Sequence, residues 1–425
     1  MSNYKRKEAL MSKFALQEHC FLITGVKRAA IYDLQSGDVY SIDERARSIV
    51  EQFESGVLIS DIRVQGVSPE AVVKYLTSLE TAGLGRFIGD SEAISKIELP
   101  KPHDLEFLWL EVTPGCNLFC MHCYAGSSPA IINLGKMTYA DWVRVMREAY
   151  EFGCRRIQFI GGEPFLLHDQ LIDLIVCAKA IGYEFVEVFT NCTLITDAWM
   201  DRLAENNVAI ATSFYGPTAE VHERVTRVRG SFQKTLGAIK SLVARGIKVR
   251  IAMIVMKANQ DYVAETIEFL RRETGVSDVS TDLVRPSGRG CNSEIVAEDL
   301  LRQRMRHKPD FPKCGPEDFQ RRRYGHNCFS KEVCVTASGD VFPCVMERDR
   351  SYGNVLERSV PKILLSLRAC QTRLLTKDQV EVCRDCEFRY ACFDCRPKAH
   401  CGDSDGNFLA KPSDCSYNPY EGQWS

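Results

Sequence analysis

Along residues 105–295 the apolar positions follow two alternating rhythms. Short, nearly continuous apolar runs (FLWLEVT, RRIQFIGG, EFVEVFTN, VAIATSFYG, KVRIAMIVM and VSDVSTDLV) read as buried strands. Between them YADWVRVMREAYEFG, QLIDLIVCAKAIG, FQKTLGAIKSLVARG and DYVAETIEFLRRETG carry apolar residues at helical spacing. Strands alternating with amphipathic helices predict a parallel sheet with right-handed crossovers, and six such units predict an open, partial (β/α)6 barrel. In α/β folds of this kind chemistry gathers at the C-terminal ends of the strands. The unusual residues obey that rule: a cysteine loop follows the first strand, Gly161-Gly162-Glu163-Pro164 ends the second, Thr190-Asn191 the third, and Ser213 with Tyr215-Gly216-Pro217 the fourth.

Upstream, AAIYDLQSGDVYSI alternates about a Ser-Gly-Asp turn, the pattern of a β-hairpin. DERARSIVEQFES and SPEAVVKYLTSLETAGL follow as helices with Asp or Ser at the start and Gly near the end. This predicts a small hairpin-plus-helices α+β domain over residues 1–93, joined by the proline-bearing linker ISKIELPKPHDL to a core over 105–300, with a third unit over 310–425.

The 425 residues suffice for two or three domains, and 26% charged with 45% hydrophobic residues is an ordinary globular composition. A formal net charge of −2 gives no electrostatic case for nucleic acid or membrane binding. The first twenty residues lack the apolar core of a signal peptide, and no apolar run is long enough to span a bilayer, so a cytoplasmic protein is expected. Nineteen cysteines are therefore not expected to be disulfides. Ten of them lie between Cys328 and Cys415, in Gly- and charge-rich sequence, which points to metal ligation.

Cys116, Cys120 and Cys123 form a C-x3-C-x2-C run directly after the first strand. Three thiolates on one short loop can hold three irons of a cubic [4Fe–4S] cluster and leave the fourth iron open. An open iron can chelate the amine and carboxylate of S-adenosylmethionine (SAM). The competing readings are a zinc loop, for which His122 and His168 are the available fourth ligands, and buried structural thiols.

The combination CNLFCMHCY, GGEPFL, TN and SFYGPTAEVHERVTRVRGSF resembles the radical SAM superfamily across residues 105–295. The resemblance implies that Gly161, Gly162 and Glu163 serve the amino group of SAM, and that Ser213 and Asn191 serve its ribose or methionyl part. The glycines would let the backbone approach the methionine portion. The family usually carries an aromatic residue just before the third cysteine; here it is His122, followed by Tyr124, whose ring or backbone is the substitute candidate.

The tail resembles the SPASM domain, an auxiliary-cluster module: Cys328-x5-Cys334, Gly339-x4-Cys344, Cys383-x2-Cys386-x5-Cys392-x2-Cys395 and Cys415. By that resemblance Cys328, Cys334, Cys344 and Cys395 hold one [4Fe–4S] cluster, and Cys383, Cys386, Cys392 and Cys415 hold another, with Cys401 a possible replacement ligand. Two zinc sites are the alternative. Three clusters in all imply a radical enzyme that abstracts hydrogen with a 5′-deoxyadenosyl radical and passes an electron to the auxiliary clusters, hence a net oxidation.

FLITGVKRAAIYDLQSGDVYSIDERARSIVEQFESG through AVVKYLTSLETAGLGRF resembles the PqqD-like, winged-helix-like peptide-recognition domain. That domain takes up a leader segment as an added β-strand. Residues 1–95 carry eleven Lys and Arg against thirteen Asp and Glu, which argues against a DNA-binding wing. Together the segments resemble an oxidoreductase that matures a ribosomally made peptide (a RiPP) by oxidative C–S or C–C cross-linking. The expected partners are a precursor peptide with a leader and a reducing flavodoxin or ferredoxin. Epimerisation, backbone excision and a cofactor-pathway reaction stay open, as does an iron–sulfur carrier without catalysis. A sulfatase-maturing enzyme would carry a carboxylate directly after the cysteine of the G-x4-C element; here that residue is Val345, with Glu347 two further on. No catalytic base is identified; Asp282, Arg285, Arg289, Tyr215 and Glu347 are the candidates.

Overall fold

A computed structural model describes residues 12–89, 92–99, 105–133 and 135–425. The linker's two prolines, Pro100 and Pro102, and residues 1–11 lie outside the described residues.

The N-terminal unit contains the expected hairpin and both expected helices. Strands β2 (Cys20–Thr24), β3 (Ala29–Asp33) and β4 (Asp38–Ile42) form an antiparallel meander in that order. Helix α1 (Glu44–Glu54) is capped by Asp43, which accepts from the Ala46 amide. Helix α2 (Pro69–Thr81) is capped by Ser68 and begins with Pro69, whose missing N–H costs nothing at that position. Two further strands, β1 (Lys13–Leu16) and β5 (Gly85–Ile88), pair antiparallel and close the unit; the sequence reading missed them and β2.

β3 is buried on both faces. Ile31 faces the unit's own core of Phe14, Ile49, Phe53 and Leu76. Ala30 and Tyr32 face the tail, where they meet Phe319, Tyr390 and Ala391. The Tyr32 hydroxyl donates to the Glu387 carbonyl (2.9 Å) and accepts from the Ala391 amide (3.2 Å). The N-terminal sheet is thus seated on the loop that carries Cys383, Cys386 and Cys392.

The core strands fall where the apolar runs predict: β6 (Phe107–Thr113), β7 (Arg156–Gly161), β8 (Phe185–Phe189), β9 (Ala209–Ser213), β10 (Val249–Val255) and β11 (Val279–Leu283). They pair in parallel and in sequence order. The connecting helices are α3 (Tyr139–Glu151), α4 (Asp169–Ile181), α5 (Asp197–Glu205), α6 (Ala219–Thr226), α7 (Ser231–Ala244) and α8 (Val263–Thr274). α5 and α6 are short and strongly polar, so their periodicity did not stand out. One cluster of buried residues, including Leu108, Phe159, Val188, Ile210 and Ile251, joins sheet to helices.

The sheet does not stop at six strands. β12 (Glu332–Thr336), from the tail, pairs in parallel with β6 from Glu332↔Phe107 to Thr336↔Glu111. β13 (Asp340–Phe342) and β14 (Gly353–Asn354) extend it to nine. The free edge of β6 would otherwise present unpaired backbone groups, and the tail's EVCVT segment satisfies them. The tail's helices are all short, among them α9 (Glu298–Gln303), α10 (Pro316–Tyr324), α11 (Val360–Leu364), α12 (Leu367–Arg373) and α13 (Arg396–Cys401). No described helix is long and apolar enough to cross a membrane.

Candidate active site and thiolate centres

The three-cysteine loop leaves the C-terminal end of β6 and is pinned on several sides. Its Phe119 and Met121 amides donate to the carbonyls of Thr226 (3.1 Å) and Val225 (3.0 Å) at the end of α6. Arg289 does more. Its guanidinium donates to the carbonyls of Cys120 (2.8 Å), Gly126 (2.8 Å) and Ser127 (2.7 Å), and stands 4.4 Å from the Phe119 ring centroid. Its own amide donates to the Cys123 carbonyl (3.0 Å). Arg289, a base candidate by sequence, is a clamp. A Cβ on the neighbouring Gly288 (φ +56°) would sit 2.3 Å from the Tyr124 carbonyl oxygen, so the glycine permits this approach. That glycine, in the run SGRG, was the only sequence signal for it.

Cys116 accepts from the Leu118 amide (3.4 Å) and from Asn191 Nδ2 (3.8 Å). Burial pushes the thiols of Cys116 and Cys120 up to about 12, and charge on the neighbouring cysteines pushes in the same direction. Crowded, desolvated thiols of this kind become thiolates only against a bound cation, which is the donor chemistry of a metal cluster.

Glycine is required at 161 and 162 for close approach to the chain itself. A Cβ on Gly162 would fall 1.7 Å from the Gly115 carbonyl oxygen, and one on Gly161 (φ +138°) 2.5 Å from that of Thr113. The Gly162 and Glu163 amides donate to those two carbonyls, Thr113 (2.7 Å) and Gly115 (2.8 Å). The pair locks the end of β7 to the root of the cysteine loop. The Glu163 carboxylate is fully buried and accepts from Thr190 Oγ1 (2.7 Å), the Asn191 amide (2.8 Å) and the Phe165 amide (3.1 Å). Burial raises it to about 7 despite those donors. It fixes Asn191 beside Cys116.

A cavity of about 560 Å³ opens under the loop. Cys116, Cys120, Cys123, Gly161, Gly162, Asn191 and Ser213 line one part of it, with Tyr124 and Tyr215. Five lining groups are buried with no hydrogen-bond partner: His122 Nδ1, Tyr124 Oη and Ser127 Oγ on the cysteine loop, and His222 Nε2 and His326 Nε2. Orphaned polar atoms around a cavity fit a polar ligand such as SAM. His122 packs edge-on to Tyr215, with Nε2 3.3 Å from its hydroxyl, and burial lowers the ring to about 4, so it is neutral.

The same cavity reaches Cys328, Cys344 and Cys395, and Val345 lines it beside them. Cys334, on β12, is fully buried next to Cys344. Cys383, Cys386, Cys392 and Cys415 surround a second, separate pocket with Phe388 and Trp424. Among the described residues, no three of these eleven thiols lie within 4.8 Å of one another. A tetrahedral zinc ion with bonds of about 2.3 Å needs sulfurs about 3.8 Å apart. Cys401 is exposed and donates to the Pro286 carbonyl (3.3 Å). Asp282 and Arg285 form an ion pair (2.7 Å) on the cavity wall, and Arg285 reaches Cys395 Sγ at 3.8 Å. Glu347 is buried; one carboxylate oxygen accepts from the Asp349 amide (3.0 Å) and the other has no partner. Lys377 and Arg306, beside the second quartet, were not anticipated because nothing in their sequence neighbourhood marks them.

Comparison with known proteins agrees with this geometry. Residues 110–270 match the radical SAM superfamily, and residues 328–387 match the SPASM iron–sulfur cluster-binding domain. The chain is 25% identical over 340 residues to an AdoMet-dependent heme synthase of Methanosarcina barkeri, covering 73% of this chain and 95% of that protein. It is 28% identical over 282 residues to the antilisterial bacteriocin subtilosin biosynthesis protein AlbA of Bacillus subtilis, covering 63% and 61%. Its fold resembles that of Streptococcus suis SuiB bound to its precursor peptide SuiA, with a TM-score of 0.57 at 14% identity over 96% of this chain and all of that one. The chain therefore carries a radical SAM domain followed by an iron–sulfur SPASM domain, which together imply iron–sulfur clusters and SAM.

Proposed function

We propose that the protein is a radical SAM maturase of a ribosomally synthesised peptide, with three [4Fe–4S] clusters, and that it forms an oxidative C–S or C–C cross-link. The observation that carries this reading is the single cavity bounded both by the three-cysteine loop and by Cys328, Cys344 and Cys395. A substrate atom held there lies between a site for hydrogen abstraction and a site for electron removal. When bound, SAM and its cluster supply the abstracting 5′-deoxyadenosyl radical. The chain's own groups do the rest. Arg289 and the glycine pair hold the loop rigid, Asn191 and Ser213 face the ligand, and the apolar barrel wall of Trp109, Ile160 and Phe189 keeps water out.

Three features support a peptide substrate. The N-terminal meander ends in β4 at its edge, where an extended leader can add as a strand. AlbA takes part in bacteriocin biosynthesis, and SuiB is seen with a precursor peptide. Val345 in the cavity wall disfavours the sulfatase-type reaction. The match to the heme synthase over 95% of its length favours a tetrapyrrole substrate as the second reading.

The test is anaerobic incubation of reconstituted protein with SAM, a reductant and the small peptide encoded beside its gene, followed by mass spectrometry. Loss of two hydrogens from the peptide together with 5′-deoxyadenosine establishes the proposal. Deoxyadenosine with an unchanged peptide, and turnover of an iron tetrapyrrole instead, replaces it with the second reading.

A further inference from the structure

The two tail quartets sit in different electrostatic surroundings. Around the first, each cation arrives with its own carboxylate. Arg285, 3.8 Å from Cys395 Sγ, donates from Nη2 (2.7 Å) and Nε (3.0 Å) to Asp282 Oδ2. Arg348, against Cys334, is paired with the buried Glu111. Glu332, on the cavity wall near Cys328, and the buried Glu347 add two more carboxyls, both of which burial pushes toward the neutral form.

The second quartet is different. Arg306 donates through Nη1 to Cys392 Sγ at 2.6 Å. Lys377 is 6% exposed, hydrogen-bonds the same thiol, and shares the pocket wall with all four cysteines. Among the described residues neither cation has a carboxylate within 4.0 Å. The acids that act on them do so through space and are hydrogen-bonded to other cations: Asp394 to Arg396 (2.9 Å from Nε) and Asp414 to Lys398 (3.0 Å). Glu387, buried next to Cys386, is offset by Arg28 at 3.9 Å and by hydroxyl donors from Tyr417 and Ser41.

A cubic cluster with four thiolates is dianionic when oxidised and trianionic when reduced. Cations beside it that are not bonded to a carboxylate therefore favour its reduced form, and hydrogen bonds to the thiolate sulfurs act in the same direction. We propose that Lys377 and Arg306 are the residues that make the Cys383/Cys386/Cys392/Cys415 cluster the more easily reduced of the two auxiliary clusters. This rests on the iron–sulfur reading of both quartets. One electron placed on the pair then resides on the second cluster, the first being returned to its oxidised level. The cation pair would draw the electron away from the substrate cavity.

The experiment is an EPR-monitored redox titration of reconstituted holoprotein, with iron, sulfide and zinc analysis of every sample. The Cys116→Ala/Cys120→Ala/Cys123→Ala background removes the loop cluster's signal. Adding Cys415→Ala identifies the second cluster's signal. The expected result is a higher midpoint for the second cluster than for the first. Lys377→Met should shift that midpoint downward and leave the first cluster's unmoved. Lys377→Arg should restore it. If Lys377→Met does not load iron, Arg306→Gln provides the same downward shift as an independent reading. Full iron content with the second cluster at or below the first, or with neither substitution moving its midpoint, overturns the inference alone. Zinc or no iron at the second quartet in the parent protein overturns the three-cluster reading with it.

Discussion

Replacing Arg289 separates a clamp from a catalytic base. The side chain makes three hydrogen bonds to the carbonyls of Cys120, Gly126 and Ser127, all within 2.8 Å, and stacks on Phe119. Hydrogen bonds from a charged donor contribute about 1.5–3 kcal/mol each, but three on one side chain do not add, and the site is only part-buried. A loss of about 3 kcal/mol is a conservative figure for Arg289→Ala. At about 1.4 kcal/mol per factor of ten, the ligating geometry of the loop becomes about a hundredfold rarer. Arg289→Lys keeps the charge but not the fork of donors, so it should recover only part of the loss. The assay is iron release to a chelator, followed by EPR with and without SAM, in full-length reconstituted protein. The loop cluster of Arg289→Ala should be lost far faster than the parent's, while the tail clusters are retained. A variant whose loop cluster resists chelation like the parent's, yet which has lost peptide turnover, would refute the clamp and return Arg289 to the reaction.

Further outcomes follow from the same geometry. Gly162→Ala forces a Cβ to 1.7 Å from the Gly115 carbonyl oxygen, and moving it away breaks the two amide-to-carbonyl hydrogen bonds that lock β7 to the loop. A loss of about 2–4 kcal/mol is expected, read as a lowered denaturation midpoint together with reduced loop-cluster loading. The triple substitution Cys116→Ala/Cys120→Ala/Cys123→Ala should abolish reductive SAM cleavage while the tail keeps its iron, as measured by deoxyadenosine release and metal analysis. Tyr32→Phe removes the hydroxyl that bridges Glu387 and Ala391; about 1–3 kcal/mol should be lost locally, seen as faster amide exchange where the N-terminal sheet meets the tail. His222 is buried, its Nε2 has no partner, and burial lowers it to about 3 from 6.5. The unfolded chain takes up a proton there first, so the stability that neutral His222 contributes is complete above pH 6.5 and is lost as pH falls toward 3. At pH 5 the loss is about 2 kcal/mol, from roughly 1.4 kcal/mol per pH unit over 1.5 units. His222→Phe should flatten that acid limb relative to the parent in denaturation measured from pH 7 to pH 5.

The chain's order of apolar runs determined the six parallel strands, four of their six helices and the rim on which the cysteine loop, Gly161, Asn191 and Ser213 meet. These are local properties: a strand's period and a helix's cap are written in neighbouring residues, and a crossover fixes which ends come together. The thiol spacings likewise grouped in advance the cysteines that line the two pockets. What the sequence did not contain was any relation between distant segments. β12 joins the barrel because the edge of β6 needs partners, and no residue in EVCVT announces that pairing. The glycine pair was expected to make room for a ligand, whereas Gly162 makes room for the Gly115 carbonyl, visible only once β7 and the loop lie side by side. Arg289 read as a base candidate in sequence, and Lys377 and Arg306 carried no signal there. Their roles arise from placement beside carbonyls and thiols contributed by chain at least fifteen, and in two cases more than eighty, positions away. Charge has no periodicity to betray it; its effect depends on distance and desolvation, and those are set only by the folded chain.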